Sequence, residues 1–306
     1  YQWWADTTNN VLKIRNSANN AWITLRELDG TMLLEDGSSS TPGLAFAGDV
    51  NTGIFRPDSD QIGFATGGAE RFRIETGEVV VNDSSNDVDF RVESNGQTHM
   101  LFVDGGNNAV GVATTPEAWE AGQFFALQIG KGGAVYGRAA GDEDRNGLTS
   151  NCYHSSAGWK YIAASAHATR YDQSDGNHIW FTAGTGSADA AVSFSESARI
   201  DTDGRLLVGV SSSRSASSLS SSLQVEGTGG DSSTISVTRN VDSAAPPRVC
   251  LAKSRGTSVG SSIVVQSGDS LGEISYSGAD GTDANSVAAT ILCQVDGTPG
   301  SNDMPG

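Results

Sequence analysis

Aromatic rings and imidazoles are concentrated between residues 151 and 181. The side chains there that could stack on a ligand or bond its polar groups are Tyr153, His154, Trp159, Tyr161, Tyr171 and His178. Flat aromatic faces beside polar groups suit stacking on sugar rings and hydrogen bonding of sugar hydroxyls. We therefore take this set as candidate ligand-binding residues.

The same rings have a structural alternative, in which they form the core of a small inserted β-domain. Trp159, Tyr161, Trp180 and Phe181 would then be buried, with tyrosine and histidine at the rim. The residue types favour this alternative, because aromatic side chains bury large apolar areas. The binding role of the stretch stays open as a hypothesis.

Acidic clusters are the second feature to consider, because a pair of carboxylates can hydrolyse glycosidic bonds. The clusters are Asp142-Glu143-Asp144, Asp201 with Asp203, and Asp280 with Asp283. Each stands close to glycine, where aspartate commonly bonds the backbone of a turn. We expect turns at these places, and we assign no catalytic residue.

Metal ligands do not occur at a suitable spacing. The run Asp201-Thr-Asp203-Gly204 lacks the remaining acidic positions of a calcium loop, and no two histidines are spaced i and i+4. The cysteines Cys152, Cys250 and Cys293 lie far apart, at no zinc or redox spacing. We expect no metal ion, no disulfide framework and no cofactor.

The elements that position these groups are predicted to be short strands joined by tight turns. A strand, an acidic residue, a glycine and a second apolar strand recur in the ranges 22–34, 71–81, 100–112 and 198–210. Asp-Gly supplies the positive φ angles that a tight hairpin needs. Other strands are predicted over 43–47, 61–65, 124–129, 159–164, 178–182, 191–194, 222–226, 234–238, 262–266 and 273–276.

Helix signals occur in one place. Thr115 could cap a helix, Pro116 suits its first position, and Glu117 suits its positive end. Gly122 would end the helix, so a turn or two is predicted over 115–121. The fold class expected from these patterns is all-β with minimal helix.

The composition is rich in turn formers and poor in core formers, with 37% hydrophobic residues and 38 glycines. Such a chain can order when its short strands bury apolar side chains against copies of themselves, so oligomerisation is expected. The net charge of −17 repels nucleic-acid phosphates and gives no attraction to anionic lipids. We expect neither nucleic-acid binding nor membrane insertion.

Changes in composition divide the chain into five predicted segments. The serine-rich run 211–222 is predicted to be a flexible connector between two of them. The segments are an N-terminal shaft hairpin (1–36), a β-repeat module (37–83), a β-repeat module with the short helical turn (84–121), an inserted β-domain with the aromatic and histidine-rich stretch (122–211), and a C-terminal β-module (212–306).

Three groups of short strings extend over most of residues 9–82 and 196–306. They include Asn9–Arg15, Thr52-Gly-Ile-Phe-Arg-Pro57, Gly278-Ala-Asp-Gly-Thr282 and Asp303-Met-Pro-Gly306. These strings resemble tail-fibre proteins of tailed bacteriophages, particularly those of marine and cyanobacterial phages. Residues 113–195 match that family much less.

The resemblance implies an elongated homotrimeric fibre built from short strands and Asp-Gly hairpins, with small inserted β-domains. Its strands would intertwine or pack around a threefold axis. In that family the last two strings often precede an endosialidase-type intramolecular chaperone, which trimerises the fibre and cuts itself away. No chaperone sequence is recognisable, which is expected either if it was removed on maturation or if the chain was truncated before it. A virion-anchoring domain is not recognisable either, so we expect an excerpt of a longer protein.

The function expected from this resemblance is that of a virion structural protein, located in the tail after assembly in the host cytoplasm. Threefold multivalency would turn weak single-site binding into avid host attachment. The expected partners are two further copies, other phage tail proteins, and a host surface glycan or outer-membrane receptor. Any host recognition is expected within residues 113–195, where the six candidate ligand-binding residues would be the receptor-binding residues. We expect no enzyme. The alternatives are a polysaccharide-degrading tailspike and a cell-surface adhesin or filament subunit.

Overall fold

The computed structural model describes residues 2–27, 34–83, 85–139, 141 and 144–306. Over these ranges the chain forms β-strands and one 3-10 turn (Asp231–Ser233), with no α-helix, so the predicted all-β class is confirmed. No helix in the described ranges is long and apolar enough to cross a membrane. The chain divides into two compact units, Tyr1–Pro116 and Glu117–Gly306.

The first unit consists of antiparallel strands that pair in sequence order. One sheet contains β1 (Trp3–Asp6), β2 (Val11–Arg15) and β3 (Trp22–Glu27). A second contains β4 (Leu44–Phe46), β5 (Asp49–Phe55), β6 (Ile62–Thr66), β7 (Ala69–Ile74) and β8 (Val79–Val81). A third group contains β9 (Phe90–Ser94), β10 (Gln97–Asp104) and β11 (Ala109–Val112).

The second unit is organised around one sheet, here called the large sheet. Its strands are β12 (Phe124–Ile129), β13 (Gly133–Arg138), β14 (Asn146–Ser150), β17 (His167–Ser174), β18 (Asn177–Thr185), β19 (Ser195–Ile200), β20 (Leu206–Val208) and β21 (Leu223–Val225). These pair in that order, antiparallel except for β20 with β21.

Two hairpins complete the second unit. The first, β15 (Cys152–Ser155) with β16 (Gly158–Tyr161), is inserted between β14 and β17. The second, β22 (Ser270–Gly278) with β23 (Ser286–Gln294), is a separate two-stranded sheet.

The acidic-turn hairpins are confirmed at 71–81, 100–112 and 198–210, where β7 pairs with β8, β10 with β11, and β19 with β20. In the last of these, Asp201 Oδ1 accepts the amides of Asp203 and Arg205, and Gly204 adopts the positive φ of +78°. The remaining hairpin prediction falls on Asp29-Gly30, which lies outside the described residues.

The β10–β11 turn uses an asparagine rather than a glycine for its left-handed residue. Asp104 Oδ1 accepts the Asn107 amide at 2.8 Å and Oδ2 accepts its side-chain nitrogen at 2.9 Å, while Asn108 has φ +52°. The β1–β2 turn repeats this arrangement with Asp6, Asn9 and Asn10 in the same roles. Asp-x-x-Asn-Asn is therefore a second hairpin motif in this chain.

The predicted helical turn over 115–121 is wrong, since residues 115–120 are extended or irregular. The amides that would begin a helix find acceptors far away in sequence. The Glu117 amide donates to Gln128 Oε1 and the Glu120 amide donates to the carbonyl of His154, at 2.8 Å each. These long-range bonds replace the local bonds that a helix would make.

Three predicted strands are also wrong, because the ranges 191–194, 234–238 and 262–266 join no sheet. The first makes a single bridge, between Ala191 and Lys160, before β19 begins. The other two have alternating or continuous apolar residues, but no strand in the described part of the chain pairs with them.

The serine-rich run 211–222, predicted to be a flexible connector, forms a hydrogen-bonded loop in the structure. Ser217 and Ser218 both adopt positive φ in a tight turn between Ala216 and Leu219. The Ser218 amide donates to Asn285 Oδ1 at 2.8 Å, so the loop lies against the connection between β22 and β23. Backbone turns and hydrogen bonds therefore fix a stretch whose composition is of low complexity.

Candidate functional site

The large sheet separates the predicted receptor-binding residues into two groups. Side chains alternate along each strand, so the sheet has one face that is buried (the inner face) and one that is exposed (the outer face). The inner face and the β15–β16 hairpin contain Tyr153, His154, Trp159 and Tyr161. Tyr171 and His178 lie on the outer face.

Trp119 is the centre of the inner aromatic cluster and is 2% exposed. Its ring centroid lies 6.0 Å from that of Tyr136, 6.4 Å from that of Tyr153 and 6.3 Å from that of Trp159. Its indole N–H donates to Gln128 Oε1 at 3.3 Å, and Gln128 is itself fully buried. The sequence patterns missed this residue, because the local signals around it favoured a helix.

Arg170 is a buried cation enclosed by aromatic rings. Its guanidinium carbon lies 4.5 Å from the ring centroid of Trp159, 4.2 Å from that of Phe181 and 4.9 Å from that of Phe194. Rings around a guanidinium stabilise it through their electron-rich faces and exclude water from it. The aromatic side chains of this stretch therefore hold a positive charge inside the unit.

The charge of Arg170 is balanced by Asp172, which is 1% exposed. Arg170 Nε lies 2.9 Å from Asp172 Oδ1, and Arg145 donates to Asp172 Oδ2 at 3.2 Å. The Tyr136 hydroxyl donates to Asp172 Oδ1 at 2.5 Å, and burial followed by the nearby carboxylate raises the pKa of Tyr136 well above its usual range. The group is a buried network of charges within the core, in which Arg170 Nε contacts Asp172 as an ion pair without forming a hydrogen bond.

His154 stacks on the ring of Phe124, with the ring centroids 4.2 Å apart. Its Nδ1 atom lies 3.0 Å from Glu120 Oε2. Burial nevertheless lowers the pKa of His154, which favours the neutral ring. The residue therefore contributes to packing and to the connection with the segment before β12.

The tyrosines of the β15–β16 hairpin direct their hydroxyls to internal partners. Tyr153 donates to Asp189 Oδ1 at 2.9 Å and Tyr161 donates to the carbonyl of Gly184 at 2.8 Å. Burial raises the pKa of Tyr153 to about 12, and that of the fully buried Cys152 thiol also to about 12. Four of the six predicted residues, Tyr153, His154, Trp159 and Tyr161, thus lie in a packed layer, and the two tyrosine hydroxyls are bonded to internal acceptors.

The outer-face residues form an exposed aromatic strip. Tyr171 pairs across the strands with Trp180, with ring centroids 5.4 Å apart, and its hydroxyl lies 2.5 Å from His178 Nδ1. The indole of Trp180 is 40% exposed. This strip is a flat surface on which another molecule can stack, and a receptor-contact role for Tyr171 and His178 stays a prediction.

The acidic clusters at Asp201 and Asp280 occupy turns, as the sequence indicates. Asp280 Oδ1 accepts the amides of Thr282 and Asp283, and its Oδ2 accepts the Ser286 hydroxyl. Those backbone and hydroxyl hydrogen bonds lower the pKa of Asp280. Asp142 and Glu143 lie outside the described residues.

Within the described ranges no three His, Cys, Asp or Glu side chains come together in a way that could hold a metal ion. Cys250 and Cys293 are exposed free thiols, and Cys152 is a buried one. No protein-family model matches this chain, and no curated protein is similar to it at a significant level.

Proposed function

We propose that this chain is a structural segment of a homotrimeric bacteriophage tail fibre, which contributes to host attachment through threefold multivalency. The observation that carries the proposal is that the C-terminal part of the chain has almost no core of its own. The sequence resemblance to tail-fibre proteins supplies the biological setting of the proposal.

Residues 227–306 bury two hydrophobic side chains, Val265 and Val295. Other large apolar side chains of the same stretch are at least half exposed, among them Ile235, Val249, Ile263, Tyr276 and Ile291. Ordering a residue costs roughly 1–2 kcal/mol of backbone entropy, which a chain must recover mainly by burying apolar surface. A single chain does not bury enough here to order the stretch.

The backbone of the same stretch also lacks partners within the chain. Between residues 234 and 253 the one backbone–backbone hydrogen bond joins the Ser243 amide to the Val241 carbonyl. The apolar residues Ile235 and Val237 alternate with Ser236 and Thr238, which is the pattern of a half-buried strand. Strands of other copies would supply both the missing hydrogen bonds and the missing apolar contacts.

A fibre explains why such a chain is built from small sheets with turn-rich connections. Each sheet exposes apolar side chains in one chain, for example Ile62 and Val79 in the first unit and Ile291 in the second. Identical chains placed side by side can cover these surfaces along their whole length. The acidic net charge of −17 then keeps the assembled particle soluble and opposes edge-to-edge association between particles.

The tailspike alternative has weaker support. Asp201 is engaged by Arg205 and by turn amides, and Asp280 by turn amides and a serine hydroxyl. A glycosidase requires two carboxylates that face each other across a groove. Neither of these two aspartates is free to take that role without opening its turn.

Immunogold electron microscopy with antibodies against residues 144–306 tests the proposal. We expect gold particles along the tail fibres of virions. Labelling of cell surfaces alone would favour the adhesin alternative. Incubation of the protein with host surface glycan checks the tailspike alternative. Sustained release of new reducing ends would overturn the proposal that the chain is a structural fibre segment.

A further inference from the structure

The outer face of the large sheet has one continuous row of apolar and aromatic side chains, which is exposed in the single chain. The register places Leu127, Val135, Leu148, Tyr171, Trp180, Ala198 and Val208 in one row across seven strands. A second row is uncharged but mixed: Phe125, Ile200 and Leu206 lie at its ends, with Gly137, Asn146, Gln173 and His178 between them. Phe125 and Leu148 are each 52% exposed, so the surface faces solvent rather than another layer of the same chain.

The outer face also lacks charged side chains. None of the outward-facing positions in its eight strands is Asp, Glu, Lys or Arg. The inner face of the same strands, by contrast, includes Arg138, Arg170, Asp172, Glu196 and Arg199. The exposed face of this sheet is therefore uncharged, whereas its covered face contains charged residues. In a sheet with one face in water the charged residues normally lie on the exposed face.

The size of this surface suits a specific protein contact. Eight strands spaced about 4.8 Å apart, each contributing about five residues, give a face on the order of 500 Å². Three such faces turned toward a threefold axis together reach about 1,500 Å², within the range of a specific interface. The largest apolar patch of a typical monomer is of about this extent, and such a patch is often a functional contact surface.

The charge distribution identifies the occupant. A basic partner would find no acidic residue on this face, and an acidic partner would find no basic one. Two copies of a chain with a net charge of −17 repel each other over most of their surfaces, so they can approach closely where charge is absent. The chain itself offers an uncharged apolar face of the same size.

We propose that a second copy of this chain packs on the outer face of the large sheet, and that Tyr171, His178 and Trp180 are subunit-interface residues. This inference rests on the proposed assembly of identical chains and assigns a specific surface to it. The consequence is that these aromatic side chains contact another subunit rather than a receptor.

The test compares two Val→Lys variants of the full chain. Val135 lies between Leu127 and Leu148 in the first row, whereas Val259 is fully exposed in a loop away from the large sheet. Val135→Lys places a charge in the proposed interface, so we expect the dissociation constant of the assembly to rise about 100-fold or more. Val259→Lys introduces the same charge without an interface and should leave association unchanged.

Sedimentation velocity over a concentration series measures association, and circular dichroism checks that each variant is folded. A second variant, Leu148→Lys, covers the case in which Val135→Lys fails to fold. Hydroxyl-radical footprinting of the unmodified protein reports on Trp180 directly, which we expect to be protected at assembling concentrations and to become reactive on dilution.

If folded Val135→Lys and Leu148→Lys both assemble as the wild type does, and Trp180 reacts with hydroxyl radicals at every concentration, this interface is wrong. The fibre proposal would still stand. A folded wild-type monomer would overturn both. Binding of the wild-type protein, but not of Val135→Lys, to phosphatidylcholine vesicles would assign the face to lipid and would also overturn the inference.

Discussion

The Tyr136 hydroxyl donates a hydrogen bond to the buried carboxylate of Asp172, on the inner face of the large sheet. Asp172 is also contacted by Arg145 and by Arg170, whose guanidinium is enclosed by aromatic rings. Aromatic side chains of the stretch 151–181, among them Trp159 and Phe181, thus enclose a buried ion pair of this β-domain. Its stability depends on every partner of that network being present.

Tyr136→Phe removes the hydroxyl from Asp172 and should lower the free energy of unfolding by about 1.5–3 kcal/mol, since hydrogen bonds to charged groups are the stronger class. Tyr161→Phe is the matched control, because Tyr161 is also buried but donates to the neutral carbonyl of Gly184. Its expected cost is about 1 kcal/mol. Urea unfolding followed by circular dichroism measures both. Equal costs for the two variants would contradict the network.

Arg170→Met should be strongly destabilising, by about 3–5 kcal/mol, because it leaves the carboxylate of Asp172 buried with less compensation. The variant should also lose the cation–ring contacts with Trp159 and Phe181. Arg56→Met is the control. Arg56 bonds Asp36 through two nitrogens, but the pair is exposed, so its removal should leave the unfolding midpoint unchanged.

If Arg170→Met and Arg56→Met lose the same amount of stability, then burial and the surrounding rings do not make the Arg170 ion pair stronger than the exposed Arg56 ion pair. Calorimetry is the suitable measurement, since the midpoint and the enthalpy of unfolding are obtained together.

The turn between β10 and β11 predicts opposite outcomes for two substitutions of Asn108. This residue has φ +52°, a region that glycine adopts without strain and a β-branched residue avoids. Asn108→Gly should change the free energy of unfolding by only a few tenths of a kcal/mol, whereas Asn108→Val should cost about 1–2 kcal/mol. Denaturant titration checks the difference between them. Equal stabilities would mean that the turn is not left-handed at this position.

His154, which packs on the inner face of the large sheet, makes the free energy of unfolding depend on pH. Burial lowers the pKa of His154 below its ordinary value of 6.5, so the unfolded chain binds its proton more readily than the folded chain. The ring faces Glu120, which favours protonation, and Arg138, Arg145 and Arg170, which oppose it. The contribution of His154 to the free energy of unfolding is therefore fully present above pH 6.5, and it decreases as the pH falls below that value.

The measurement is the melting temperature between pH 7 and pH 5 for the wild type and for His154→Gln. The variant should have a lower melting temperature than the wild type at pH 7, and the difference between the two melting temperatures should become smaller toward pH 5. A difference that widens as the pH falls would mean that the protonated ring, bonded to Glu120, is the favoured form. Carboxylates with lowered pKa values such as Asp6, at about 2, titrate below this window and leave it undisturbed.

The strand content and the hairpins were predictable because their signals are local. Period-two alternation and an acidic residue before a turn suffice to locate β10, β11, β19 and β20. The Asp-x-x-Asn-Asn turns were missed as a motif, although the sequence contains the same five-residue spacing at Asp6 and Asp104. A left-handed asparagine is a weaker signal than glycine, since asparagine also occupies many other turn positions.

The two sides of the large sheet could not be separated from sequence. Trp159 and Trp180 both lie in alternating stretches, yet one packs beside Arg170 on the inner face and the other is exposed on the outer face. Alternation identifies two faces but not the one that another layer covers, because that depends on where β15 and β16 fold back. Trp119 was placed in a helix for a related reason: its determining contacts with Tyr136 and Gln128 are distant in sequence.

Sedimentation velocity of the folded full chain at micromolar concentration distinguishes a trimeric fibre segment from a single-chain protein. We expect a particle with three times the mass of one chain and a frictional ratio well above that of a compact sphere. A folded species with the mass of a single chain would contradict it, because the exposed apolar side chains of residues 227–306 would then be stable in water without another copy to cover them.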